Sequence, residues 1–176
     1  MEHADHVRLL RDGIAAQGGV WADLGSGWGA FTLALADLLG PTATIYSVDR
    51  DRSALRDQER AMSARFPSVT VSYLTADFTG PLELPLLDGV VMANSLHFQR
   101  DKAATLALVR GYLRPGGRLL LVEYNADRGN PWVPYPLAYP AWERLAGQSG
   151  FVHTRLLATY PSRFLREMYS AVSERP

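Results

Sequence analysis

An apolar segment that runs directly into three alternating glycines constrains the fold of this chain more than any other feature. Residues 20–22 are Val, Trp and Ala, and residues 23–29 read Asp-Leu-Gly-Ser-Gly-Trp-Gly, before an apolar stretch over residues 31–39. This order predicts a buried strand, a glycine turn and a helix. Glycines allow backbone amides at the start of a helix to approach a ligand closely, so the turn indicates a nucleotide-like ligand.

The chain continues as an alternation of strand-like and helix-like segments up to residue 122. The helix over residues 51–65 carries many charges and few large apolar residues, which predicts a surface position. Alternation of this kind is typical of a doubly wound α/β fold, with a mostly parallel sheet covered by helices on both faces. The predicted helices cover residues 3–17, 31–39, 51–65 and 101–113, and the predicted strands cover residues 20–22, 43–48, 69–74 and 86–94.

Two further strand patterns lie near the end of the chain, over residues 151–160 and 164–173. Only Pro161, Ser162 and Arg163 separate them. So short a connection cannot cross over a sheet, and it therefore predicts an antiparallel hairpin.

Acidic residues follow three of the predicted strands. Asp49 comes 20 residues after Gly29, where a carboxylate can accept the hydroxyls of a ribose. Asp77 is followed by Phe78, so an acceptor stands beside an aromatic face, as the exocyclic amine of a flat base requires. With Asp23 ahead of the glycines, these residues predict a ligand that contains an adenine nucleoside.

The glycine turn also fits a second ligand class. Read as Gly25-x-Gly27-x-x-Ala30, it matches the fingerprint of nicotinamide dinucleotide sites. A dehydrogenase usually needs a further substrate domain, whereas 176 residues are the size of one domain. Dinucleotide binding, and a glycine turn that binds nothing, stay open as alternatives.

In its order of motifs the chain resembles the class I S-adenosylmethionine-dependent methyltransferases over residues 18–173. The matching motifs are the acid and glycines of residues 23–29, Asp49, the pair Asp77 and Phe78, the strand over residues 86–94, and a helix end, Pro-Gly turn and strand over residues 113–122. The resemblance implies a seven-stranded sheet of order 3-2-1-4-5-7-6 with strand 7 antiparallel. It also implies S-adenosylmethionine as cofactor, S-adenosylhomocysteine as product, and methyl transfer to a small molecule.

The resemblance assigns roles around the sheet edge where strands end and ligands bind. The glycine turn approaches the methionine part, Asp23 orients its ammonium group, Asp49 holds the ribose, and Asp77 with Phe78 covers the adenine. Trp28 is either a ligand contact or a core residue of the first helix. The predicted cofactor-binding residues are Asp23, Gly25, Ser26, Gly27, Trp28, Gly29, Asp49, Arg50, Asp77, Phe78 and Asn94.

His97 is the candidate catalytic base. It stands just past the fourth predicted strand, in a Leu-His-x-x-x-Asp pattern similar to that of small-molecule members of the family. An imidazole can take up a proton near neutral pH. An amine or carbanion acceptor needs only positioning, whereas a phenol or alcohol benefits from a base. A structural role for this histidine stays open.

Residues 125–142 interleave four large aromatic residues with four prolines, which is the pattern of a stiff aromatic wall for a substrate. The alternatives are that the rings pack onto the domain or form a contact between two copies of the chain. The four aromatic residues are Trp132, Tyr135, Tyr139 and Trp142. The predicted substrate-side residues are Glu123, Tyr124, Trp132, Tyr135 and Tyr139.

The sequence predicts a single domain over residues 1–176. Residues 1–17 form a helix that acts as a lid, residues 18–124 a cofactor-binding core, and residues 125–176 the substrate side. His3 and His6 share one face of the predicted lid, but no third ligand stands nearby, so no metal site is predicted.

Charge and composition exclude several classes of partner. The chain carries 18 basic and 18 acidic residues without a basic stripe, which argues against nucleic acid. Without cysteine it has no thiolate metal site. No signal peptide or membrane-length apolar run is present, so a cytoplasmic enzyme without a membrane partner is expected. A homodimer, and a non-catalytic subunit that only binds S-adenosylmethionine, stay open.

Overall fold

The computed structural model describes residues 1–176 as one seven-stranded sheet with helices on both faces. The strands are β1 (Gly19–Leu24), β2 (Ala43–Asp49), β3 (Thr70–Thr75), β4 (Leu87–Ala93), β5 (Leu113–Tyr124), β6 (Val152–Ser162) and β7 (Arg166–Glu174). The helices are α1 (His3–Arg11), α2 (Ala30–Leu39), α3 (Arg52–Arg65), α4 (Ala103–Tyr112) and α5 (Tyr139–Gln148), and a short 3₁₀ turn covers Leu96–Phe98. None of these helices is both long and apolar enough to cross a bilayer.

The strand order is β3-β2-β1-β4-β5-β7-β6, and β7 runs antiparallel to both of its neighbours. The predicted doubly wound fold, strand order and terminal hairpin are therefore confirmed. The short connection between β6 and β7 forces this reversal, because a parallel pairing needs a long crossover.

The central strands are apolar because helices cover both of their faces. One core cluster joins α1, α2 and α3 to the sheet and includes Leu9, Leu35 and Met62. The second cluster joins α4 and α5 to the opposite face and includes Leu106 and Trp142. Because helices cover both faces of the sheet, the loops that follow the parallel strands come together at the carboxyl-terminal edge of those strands.

The first helix is shorter than predicted, since α1 ends at Arg11 and not at residue 17. The chain then passes so close to the sheet that a Cβ added to Gly13 would lie 2.7 Å from the side chain of Leu120. Helix α1 packs against α2 and β6. His3 contacts Asp37 at 3.0 Å, and His6 packs edge-on against Phe31.

Candidate functional site

A cavity of about 330 Å³ opens at the carboxyl-terminal edge of the sheet. This volume lies within the range of small-molecule sites. Residues from the glycine turn and from the ends of β2, β3 and β4 line it together. They are Gly25, Gly27, Trp28, Asp49, Arg50, Asp51, Ala54, Ala76, Asp77, Phe78, Asn94, Ser95, Phe98 and Gln99.

The three glycines of the turn all have positive φ angles, but they meet different surroundings. A Cβ on Gly25 would lie 2.5 Å from Cβ of Ser95, and a Cβ on Gly29 would lie 2.2 Å from Cγ of Gln58. A Cβ on Gly27 would meet nothing within 4 Å. Two glycines thus allow close packing within the protein, whereas Gly27 leaves open space beside the cavity.

Asp49 fixes this turn from the end of β2. Its Oδ2 accepts a hydrogen bond from the Gly27 amide at 2.8 Å, and its Oδ1 accepts one from the Asp51 amide at 2.8 Å. A carboxylate oxygen can accept two hydrogen bonds. Each oxygen therefore keeps a free lone pair for a ligand hydroxyl.

Gln58 is a site residue that the sequence analysis missed. It is fully buried on α3, and its Nε2 donates to Oγ of Ser26 and to the Gly27 carbonyl, both at 3.3 Å. The predicted surface position of this helix is wrong for one face, because Ala54, Gln58 and Met62 are all buried. Residues four apart lie on one face of a helix, so their spacing indicates a buried helical face. Because Gln58 is polar, this face was not recognised from the sequence.

Asp23 lies buried at the end of β1 and is 1% exposed. Its Oδ2 accepts a hydrogen bond from Oγ1 of Thr32 at 2.7 Å, whereas its Oδ1 has no partner. Burial raises the pKa of Asp23 to about 7; the Thr32 hydrogen bond opposes this shift, and the nearby Asp49 charge adds to it. An unsatisfied buried carboxylate oxygen is costly, and a cationic ligand group would relieve that cost.

Asp77 and Phe78 both line the cavity. Oδ1 of Asp77 accepts from the amide and the hydroxyl of Thr79, at 2.9 and 2.7 Å. These two bonds hold the pKa of Asp77 below its usual value. The ring of Phe78 reaches the turn, where its Cε1 atom would lie 3.0 Å from a Cβ on Gly25. A charged acceptor and an aromatic surface therefore stand side by side.

Three further predicted cofactor residues line the cavity, namely Trp28, Arg50 and Asn94, whereas Asp23, Ser26 and Gly29 do not. Trp28 is 66% exposed at its wall, so it is not a core residue. Asn94 adopts a positive φ of 53° at the end of β4, and its buried Oδ1 has no partner. Ser95, Phe98 and Gln99 line the same wall although the sequence analysis did not select them.

His97 does not line the cavity and is instead buried against Glu123. Its Nδ1 lies 2.9 Å from Oε2 of Glu123, and its amide donates to Oε1 of Glu123 at 3.0 Å. Glu123 is fully buried and presents no surface to a substrate, contrary to the prediction. Tyr124, which follows it, is also buried.

The aromatic residues of the substrate side do not form one wall. Trp132 and Tyr135 are exposed, Tyr139 is half-buried, and Trp142 is fully buried in the core. The reason is that Tyr139 and Trp142 belong to α5, which turns one face onto the sheet. Of these four residues only Trp132 and Tyr135 are exposed, and neither lines the cavity.

No group of three or more His, Cys, Asp or Glu side chains is arranged to hold a metal ion. His3 and His6 contact different residues of α2 and do not converge. Neither of them lines the cavity, and the lid role of α1 stays a prediction.

Comparisons with known proteins point to one family. A methyltransferase-domain family model matches residues 22–119, more than half of the chain. The ubiquinone/menaquinone biosynthesis C-methyltransferase UbiE of Burkholderia mallei is 30% identical over 126 residues, which cover 71% of this chain and 49% of that protein. The chain thus spans about half the length of the curated relatives it matches.

Solved structures have the same fold. An S-adenosylmethionine-dependent methyltransferase from Aquifex aeolicus superposes with a TM-score of 0.76 at 15% identity, covering 98% of this chain and 90% of its own. The YcgJ protein of Bacillus subtilis superposes with a TM-score of 0.78 at 12% identity, covering 98% and 99%. With the family match over residues 22–119 and the strand order of the sheet, the chain belongs to the class I S-adenosylmethionine-dependent methyltransferases.

Proposed function

We propose that this protein transfers a methyl group from S-adenosylmethionine to a small-molecule acceptor. The observation that carries the proposal is the carboxylate of Asp49, held at the cavity wall by the Gly27 and Asp51 amides at 2.8 Å. That carboxylate is oriented before any ligand arrives and retains lone pairs for two adjacent hydroxyls. A ribose without a phosphate fits this arrangement.

Other residues at this end of the sheet fit the same cofactor. Asp23, with its unpartnered Oδ1, would face the ammonium group of the methionine part. Asp77 would accept from the exocyclic amine of adenine, and Phe78 would cover the ring. The open space at Gly27 admits the ligand next to the backbone. Each of these roles is a proposal about this chain's own residues.

When bound, S-adenosylmethionine supplies an electrophilic methyl group on a sulfonium. The protein's main task is then to align an acceptor with that group and to exclude water. Alignment of this kind can lower a barrier by roughly 7–11 kcal/mol. Where the acceptor must lose a proton, His97 is the base that we propose.

A small-molecule acceptor agrees with the name of the UbiE relative, a C-methyltransferase of ubiquinone/menaquinone biosynthesis. The exposed rings of Trp132 and Tyr135 stand on the substrate side and provide flat apolar surface. The balance of 18 basic and 18 acidic residues does not favour nucleic acid. A cytoplasmic location stays a prediction.

Calorimetric titration with S-adenosylhomocysteine, run beside NADH, tests the proposed cofactor. We expect micromolar binding of S-adenosylhomocysteine and no binding of NADH. Binding of NADH alone would assign the glycine turn to a dinucleotide. Binding of neither ligand would remove the basis of the proposed activity.

The pH dependence of this titration reports on Asp23. Because its pKa is raised to about 7, Asp23 is mostly neutral below that pH and mostly a carboxylate above it. The ligand ammonium requires the carboxylate, so binding releases a proton at low pH. We expect S-adenosylhomocysteine to bind about tenfold more weakly at pH 6 than at pH 8. Asp23→Asn should bind weakly with no such pH dependence, and an unchanged profile in this variant would contradict the role of Asp23.

A further inference from the structure

A second cavity of about 330 Å³ lies at the amino-terminal edge of the sheet, and we call it the amino-terminal cavity. The linker between α1 and β1, the first residues of β1, the start of β4 and the first half of β5 line it. None of its lining residues lines the cavity at the carboxyl-terminal edge. The sheet therefore has a separate cavity at each end of its central strands.

Three charged side chains line the amino-terminal cavity, namely Asp88, Arg114 and Arg118. The one carboxylate is already engaged, because Oδ2 of Asp88 accepts from the Val20 amide at 2.6 Å and Oδ1 pairs with the Arg114 guanidinium. A cationic ligand would therefore meet two arginines and a carboxylate that already has a counter-charge. The charge of the cavity favours an anion instead.

The two arginines keep donors for a ligand. Nη1 of Arg118 donates to the Gly13 carbonyl at 3.1 Å, and its Nη2 lies 3.1 Å from Oε1 of Glu174. Glu174 offsets part of the Arg118 charge, but it does not line the cavity, and its other oxygen contacts His153. A guanidinium carries five N–H donors. Arg114 and Arg118 therefore each keep most of their donors free.

Trp21 adds a neutral donor to the same wall. It is 4% exposed, and its ring lies against Gly89, where an added Cβ would be 2.1 Å from Cζ3. The indole Nε1, which can only donate, has no acceptor within the protein, yet it is not among the fully enclosed polar atoms that lack a partner. The amides of Ala15, Ala16 and Gln17 also donate to no protein acceptor. All four residues line the cavity, so its wall presents several unpaired donors.

We infer that the amino-terminal cavity is a second ligand site, which binds a small anion through its phosphate or carboxylate oxygens. Arg114 and Arg118 donate charge-assisted hydrogen bonds to these oxygens, and the Trp21 N–H donates a neutral one. The volume lies within the range of small-molecule sites, which fits a compact phosphate ester or a tricarboxylate. This inference is independent of the proposed methyl transfer.

A bound anion also connects the linker to the sheet. Arg118, on β5, already reaches the Gly13 carbonyl just after α1. Residues 15–17 lie between that contact and β1, and their amides are unpaired. An anion held by both arginines and the linker fastens α1 to the central strands. Because such a ligand binds only the folded chain, it raises the stability of the protein.

The indole NMR signals of the full chain test the inference. Phe substitutions of the exposed Trp28 and Trp132 assign two of the four signals. The enclosed Nε1 of Trp142 is identified by slow hydrogen exchange, and the remaining signal is that of Trp21. We expect the Trp21 signal to shift with inorganic phosphate or citrate, with a Kd of about 1 mM or below in low salt, and not with chloride at equal ionic strength. The anion that binds more tightly identifies the oxygen chemistry. No shift with either anion, or an equal shift with chloride, would overturn the inference.

Substitutions locate the bound anion. Arg114→Gln and Arg118→Gln should each weaken phosphate and citrate binding by about tenfold or more. Asp88→Ala should tighten binding by about threefold, because it removes the carboxylate that competes for Arg114. Arg60→Gln is the matched control, since Arg60 also pairs with an aspartate, Asp57, but lines neither cavity. The Arg114 side chain is 60% exposed, so its loss leaves the fold intact, and unchanged affinity in Arg114→Gln would overturn the inference.

Titration of the same samples with S-adenosylhomocysteine separates this inference from the proposed function. The two cavities share no lining residue, so saturating S-adenosylhomocysteine should leave the phosphate affinity unchanged. Arg114→Gln should bind S-adenosylhomocysteine as the parent does. If S-adenosylhomocysteine displaced phosphate, the anion would lie in the carboxyl-terminal cavity, and the inference would fail while the proposed function stood. If the parent bound phosphate but not S-adenosylhomocysteine, only the proposed function would fail.

Discussion

Gly29→Ala should destabilise the protein by roughly 2–4 kcal/mol, through left-handed backbone strain and overpacking together. The φ of Gly29 is +83°, which costs energy for any residue with a Cβ. The added atom would also lie 2.2 Å from Cγ of Gln58, a buried side chain that holds the glycine turn. Urea unfolding followed by circular dichroism measures the change in the free energy of unfolding.

Gly147→Ala is the matched control for that experiment. Gly147 lies within α5, and a Cβ there would meet nothing within 4 Å. We expect this variant to be more stable than the parent by roughly 0.5–1 kcal/mol, since alanine favours the helix. If Gly29→Ala unfolds at the same urea concentration as the parent, the close contact with Gln58 does not constrain the turn.

Asp49→Ala should weaken the binding of S-adenosylhomocysteine by about 100-fold, as expected from the loss of hydrogen bonds to a charged group. The variant loses the proposed acceptors for the ribose hydroxyls. The substitution also removes the hydrogen bonds that the Gly27 and Asp51 amides donate to the Asp49 carboxylate at 2.8 Å in the parent. Calorimetric titration gives the affinity, and a thermal melt shows whether the fold persists.

Asp88→Ala provides a carboxylate control at the opposite edge of the sheet. Asp88 also accepts a backbone hydrogen bond, from the Val20 amide at 2.6 Å, but it does not line the cavity. This variant should bind S-adenosylhomocysteine as the parent does. If Asp49→Ala also bound like the parent, the assignment of Asp49 to the ribose would be wrong.

The order of strands and the composition of the cavity were largely predictable from the chain alone. Each strand, glycine turn and helix has a local pattern, and a parallel sheet brings the ends of its strands to one edge. For this reason Asp49, Asp77 and Asn94 meet although they are far apart in the sequence. The prediction of helix α1 up to residue 17 was wrong, because the close approach of Gly13 to the sheet is not a local property.

The sequence by itself determined the fold, the family and most of the residues that line the cavity, because these depend on local patterns and on the topology that those patterns imply. Only the tertiary structure decided which polar groups are buried and what they bond. Gln58 reaches Ser26 across 32 residues, and His97 reaches Glu123 across 26 residues. Nothing in the local sequence around Gln58 or Glu123 marks these partners, since each bond depends on how two separate elements pack.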